Sequence, residues 1–159
     1  MTSPAVPDLN ALYVGMCRSI GIPARDVYGV RVADSRYGYR SLGRSGEISK
    51  AQHCRAEVWL ADYGWVRVDP ADVRKFVLEE KPGLKLDDLL VKYVRARLFG
   101  ALGMSRMPYN VAHDVQLPGS IGSPIAFLMY PQAEVGDRRV DSLDSERFRY
   151  TLTSQEISP

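Results

Sequence analysis

Apolar residues Leu9, Leu12, Tyr13, Met16 and Ile20 recur at helical spacing, with Pro7 suited to a first turn and Gly21 to a C-terminal stop. The spacing predicts a helix over residues 7–20. Gly21-Ile22-Pro23 breaks the period, and Val27, Tyr28, Val30 and Val32 then form a β-rich run that ends at Asp34. Residues 34–50 carry three Gly, four Ser and no apolar period, the composition of a long surface loop. Two strands are expected next, over 51–61 and 65–69, joined by Asp62-Tyr63-Gly64, where Gly can adopt the positive φ of a hairpin bulge.

Between Leu84 and Phe99 the residues Leu86, Leu89, Leu90, Tyr93, Val94 and Leu98 mark a second amphipathic helix with a basic outer face. Residues 109–117, 124–130 and 147–153 read as strands separated by Pro and Gly. The expected class is therefore α+β: a helix packed on an antiparallel sheet, with a helical and β-rich C-terminal extension.

Composition narrows the possible functions. A chain of 159 residues with 45% apolar side chains fits one domain with one sizeable core. Lys and Arg number 21 against 19 Asp and Glu, and the two signs are interspersed, so no basic footprint for nucleic acid is present. No apolar stretch approaches the roughly 20 residues a membrane helix needs, and no signal peptide is recognisable, so no membrane partner is expected and a cytoplasmic location is the default. Cys17 and Cys54 with two His are too few soft ligands for a structural zinc site, and neither a metal nor another cofactor is indicated.

The candidate chemistry lies in the hairpin. Side chains alternate along a strand, so Gln52, Cys54, Ala56, Val58 and Leu60 share one face, and His53, Arg55, Glu57 and Trp59 share the other. Trp65, Arg67 and Asp69 share a face of the partner strand, and a three-residue loop brings that face beside His53. A carboxylate within reach of an imidazole fixes its tautomer and stabilises the imidazolium, which lets His shuttle a proton. Taken alone, such a pair is more often structural.

The segments Arg18-Ser19-Ile20-Gly21-Ile22-Pro23-Ala24-Arg25, Gln52-His53-Cys54-Arg55-Ala56-Glu57-Val58-Trp59 and Tyr63-Gly64-Trp65-Val66-Arg67-Val68-Asp69-Pro70 together resemble the transglutaminase-like superfamily of papain-type cysteine enzymes. The resemblance implies a papain-like core over about 7–75, an extension over about 76–159, and a single domain that lacks an upstream part. It implies that His53 is the general base and Asp69 its orienting acid, in a cysteine protease or acyl transferase acting on peptide amide bonds, with proteolysis favoured over crosslinking.

The family's nucleophilic Cys falls at Val6, which has no lone pair to attack with. Cys17 lies about 16 Å further along the helix axis, near the end where the dipole opposes a thiolate, and Cys54 points away from the His53 face. Neither substitutes for the missing thiol, so the chain is expected to be inactive. The alternative is a non-catalytic peptide- or protein-binding module, in which loop 34–50 would matter most.

Other residues have competing roles. Trp59 and Trp65 lie on the His53 face and are equally suited to walling an acyl-substrate cleft or to packing across the strand pair. Arg25 is read as structural, holding the first strand or a carboxylate. His113 and Asp114 are adjacent on a strand and cannot form a dyad with each other. Asn10, one turn beyond Val6, is left outside the catalytic set.

Overall fold

The computed structural model describes residues 6–100 and 105–157. In chain order its elements are α1 (Val6–Ser19), β1 (Ala24–Arg31), β2 (Gly46–Glu47), β3 (Arg55–Leu60), β4 (Gly64–Val68), α2 (Pro70–Lys75), α3 (Leu89–Arg97), β5 (Arg106–Asn110), β6 (His113–Val115), β7 (Ile125–Phe127), β8 (Ala133–Val135), β9 (Arg138–Val140) and β10 (Thr153–Ser154). The class is α+β. None of the described helices is long and apolar enough to cross a membrane.

Four strands form the main sheet in the order β4-β3-β1-β5, each pair antiparallel. The inner faces of β1, β3 and β4 present Ala24, Ala56, Val58 and Val68, and α1 covers them with Val14 and Cys17. Ala56 and Val58 belong to the apolar face expected for their strand, and α1 falls within a residue of its expected span. Gly29 permits the close pairing of β1 with β5, since a Cβ there would lie 2.3 Å from the Met107 carbonyl oxygen.

The hairpin joins Leu60 to Gly64 through three residues, Ala61–Tyr63, with Asp62 and Gly64 both at positive φ. Its register pairs Glu57 with Arg67 and Trp59 with Trp65, which puts Asp69 on the face of Arg55. The upstream strand is shorter than expected. It begins at Arg55 rather than 51, with Gln52 joined to Val30 by an isolated bridge. The first strand begins at Ala24 and ends at Arg31, earlier than the expected run to Asp34.

Asp69 closes the hairpin and opens the next helix. Its side chain accepts a hydrogen bond from the Asp72 backbone N–H at 3.0 Å, and Pro70 occupies the first turn, so α2 starts at once. A π-helical segment, Phe76–Glu80, extends it. Phe76 is fully buried against Val94 and Leu98, which ties α2 to α3. The second expected helix, over 84–99, is helical only from Leu89 to Arg97, because Asp88 accepts from the Lys85 backbone N–H and holds the preceding residues in a turn. The expected strand over 147–153 is replaced by a short pairing of Thr153 and Ser154 with Glu47 and Gly46.

Candidate functional site

Antiparallel register brings the polar side chains together. The His53 N–H donates to the Gly29 carbonyl and the Arg31 N–H to the Ala51 carbonyl, and Val27 pairs with Arg55. Arg31, His53, Arg55 and Asp69 therefore lie on one face of the sheet. The first turn of α2 adds Asp72. All five are buried, His53 and Asp69 to 1% exposure each.

Within this cluster Nε2 of His53 is 2.6 Å from Oδ2 of Asp69, and the same oxygen accepts from Nε of Arg55 at 3.0 Å. The other oxygen of Asp69 caps α2. An ionised Asp69 can only accept, so the close approach of Nε2 is that of a ring carrying its proton on that nitrogen. Nδ1 of His53 is buried and has no partner, which leaves it as the nitrogen with a free lone pair.

A second carboxylate approaches the same nitrogen. Oδ1 of Asp72 lies 3.4 Å from Nε2 of His53 and accepts from Nη2 of Arg31. Two carboxylates thus meet two guanidiniums around one imidazole. Burial pushes both Asp69 and Asp72 up, with Arg55 and Arg31 pulling Asp69 back down. Burial holds His53 well below its ordinary value, and Asp72 is the charge that resists this most. From β5, Arg106 donates from Nε at 3.1 Å and from Nη2 at 2.9 Å to the His53 carbonyl, and also to the Val27 carbonyl.

The spacing of His53, Asp69 and Asp72 is one a metal ion can use, with the ligand atoms within 4.8 Å of one another. Their carboxylates are already neutralised by Arg31 and Arg55, whose charges would repel a divalent cation. The donor set suits an anchored imidazole better than a metal centre.

The other candidates make contacts of their own. Val6 opens α1, at the helix end where backbone N–H groups favour an anion. Asn10, one turn on, is fully buried and donates from Nδ2 to the Cys54 carbonyl at 2.8 Å, linking α1 to the residue after His53. Cys17 packs in the apolar core, and Cys54 packs with Tyr28 and Met129, its thiol pushed up to about 12 by burial and by Asp26. His113 sits 3.8 Å from Asp26 and edge-on to Tyr28.

Trp59 and Trp65 stack edge to face at 5.6 Å, with the Arg25 guanidinium 4.0 Å over Trp65 and paired to Glu57 at 2.8 Å. Six residues of extended chain, about 20 Å, separate Trp59 from His53. A groove of about 590 Å³ lies nearer, beside Gln52, walled by Tyr130, Phe148 and Tyr150 with Lys50 and Arg149 at hand.

Sequence reasoning missed Asp72 and Arg31. The signal for Asp72 was present in Asp69-Pro70-Ala71-Asp72, where a capping Asp is followed by Pro and then by an acid in the first turn. Arg31 carried no such signal, since its partner lies 41 residues away.

Residues 6–70 match the model of the transglutaminase-like superfamily. The chain is also similar to an uncharacterized protein of Haemophilus influenzae, with 36% identity over 160 aligned residues that cover 94% of this chain and 43% of that protein. The chain thus spans less than half the length of this curated relative. No solved structure matches.

Proposed function

We propose, on the premise that residues 6–70 belong to the transglutaminase-like superfamily, that His53 and Asp69 are the base and orienting acid of a cysteine-type acyl-transfer site for peptide amides. In this chain the nucleophile's place is held by Val6. The observation that carries the proposal is the division of labour on one ring: Nε2 is held by Asp69 at 2.6 Å while Nδ1 is buried without a partner. Such a ring has its tautomer fixed on one side and a lone pair open to a proton on the other.

With a thiol at the start of α1, Nδ1 takes the S–H proton and the thiolate attacks the amide carbonyl. The C–N bond breaks, the amine leaves with the proton from Nδ1, and a thioester remains. Water or an amine then releases the acyl group, with His53 again moving the proton. Valine supplies no electron pair for the first step, so this chain forms no acyl-enzyme.

The test is Val6→Cys, assayed for amide hydrolysis and for a covalent acyl adduct by mass spectrometry. Adduct formation that disappears on adding His53→Ala is expected. Alkylation of the parent chain by an amide-mimicking thiol probe, or an inert but folded Val6→Cys protein, would overturn the proposal.

The aromatic groove beside Gln52 favours a second reading, a peptide-binding module without catalysis, because a concavity of about 590 Å³ can hold a few residues of extended peptide. Peptide binding that Tyr150→Ala weakens, in a Val6→Cys protein that stays inert, would favour it over acyl transfer.

A further inference from the structure

We propose that Asp72, anchored by Arg31, is a positioning residue that sets the basicity of His53 by placing a second negative charge against Nε2. The inference rests on the reading of His53 as the site's base and adds a pair of residues to it.

The geometry is direct. Asp72 is held on two sides: its backbone N–H donates to Asp69, and its Oδ1 accepts from Arg31. That leaves the carboxylate fixed with the same oxygen 3.4 Å from Nε2 of His53, next to the Asp69 oxygen that takes the hydrogen bond. Arg31 and Asp72 are both almost fully buried, so neither charge is screened by water.

Charge balance gives the reason for a second carboxylate. The charged groups around His53 are Asp69 and Arg55 from the hairpin, Asp72 from α2, Arg31 from β1 and Arg106 from β5. With Asp69 alone, three guanidiniums would face one carboxylate, and an imidazolium formed by proton uptake at Nδ1 would be strongly opposed. Asp72 offsets one of them. Consistently, burial lowers His53 most, Asp72 is the leading contribution that raises it, and Arg31, Arg55 and Arg106 lower it. Arg31 then acts as a moderator, drawing part of the Asp72 charge to itself.

The two neighbours therefore act with opposite sign. Asp72→Asn removes the supporting charge and moves the protonation midpoint of His53 down. Arg31→Gln frees the Asp72 charge and moves it up, by about one pH unit or more. A merely structural role predicts something else, since loosening the cluster admits water and carries both variants upward, toward the ordinary value for histidine.

The chain contains only two histidines, so ring nitrogen NMR on the ¹⁵N-labelled protein can follow His53 separately from His113. Opposite shifts in Asp72→Asn and Arg31→Gln are expected, and upward shifts in both would overturn the proposal. Should Asp72→Asn fail to fold, or should the parent midpoint lie too low for a further fall to be read, Arg31→Lys and Arg31→Gln decide. The charge-keeping Lys is expected to leave the midpoint in place and the Gln to raise it, and equal rises would overturn the proposal. These readings need no nucleophile, so an inert Val6→Cys protein alongside the expected shifts would refute acyl transfer alone.

Discussion

Asp69 and Asp72 meet across one helical turn, where the Asp72 backbone N–H donates to Oδ1 of Asp69 at 3.0 Å and both carboxylates turn toward Nε2 of His53. The start of a helix and the orientation of an imidazole therefore depend on the same side chain. Removing that side chain should affect stability as well as chemistry.

Asp69→Ala strips the cap from α2, worth about 1 kcal/mol, and leaves Arg55 buried without its carboxylate, worth roughly 3–5 kcal/mol. Urea unfolding should show a loss of about that combined size. Asp69→Asn keeps an acceptor at the cap and should lose less. Equal losses in the two variants would contradict the double role.

Acid should weaken the fold through His53. Its folded value lies below the ordinary 6.5, so the unfolded chain takes up the proton first as pH falls. The stability gained by burying a neutral ring is complete above 6.5 and is lost below it, at up to about 1.4 kcal/mol per pH unit. Asp69 and Asp72, raised by burial, work in the opposite sense at lower pH and are common to parent and variant. The guanidinium midpoint should fall more steeply between pH 6.5 and 5.5 in the parent than in His53→Gln, and parallel curves would refute this.

Cys54 should be chemically silent while the protein is folded. With its thiol at about 12, the thiolate fraction at pH 8 is on the order of 10⁻⁴. Iodoacetamide should leave native Cys54 unmodified over a time that fully labels it in denaturant. Labelling of native Cys54 at the rate of a free thiol would mean that the strand opens.

The tryptophan pair at the far end of the hairpin should act on stability. A double-mutant cycle of Trp59→Ala and Trp65→Ala should give a coupling of about 0.5–1.5 kcal/mol, the range of edge-to-face aromatic pairs. A coupling near zero would mean that the contact with Arg25, not the ring pair, holds this end.

Local patterns were the most legible part of the sequence. The spacing of Leu9, Tyr13 and Met16 located α1, and strict alternation from His53 to Trp59 gave the two-faced strand together with the loop length that brings Asp69 into place. The segment after Asp69 was not legible as helix, because α2 is six residues long and too short to show an apolar period. Asp69 serves both as helix cap and as orienting acid, and Asp72 joins the site only through that cap. The Val135–Arg138 turn of the β8–β9 hairpin, with Gly136 at positive φ, is by contrast a local signal of the Gly-Asp type. Arg31 and Arg106 meet their partners across 41 and 53 residues, a relationship no local pattern encodes.

Arg106 also separates two ways of dividing the chain. The family match ends at residue 70, yet the carbonyl of His53 is fixed by a side chain that arrives 53 residues later, on the outermost strand of the same sheet. The stretch that the family model covers is thus shorter than the network that fixes the histidine. A piece cut at the boundary of the match would keep every residue of the hairpin and lose the strand that holds its histidine in register.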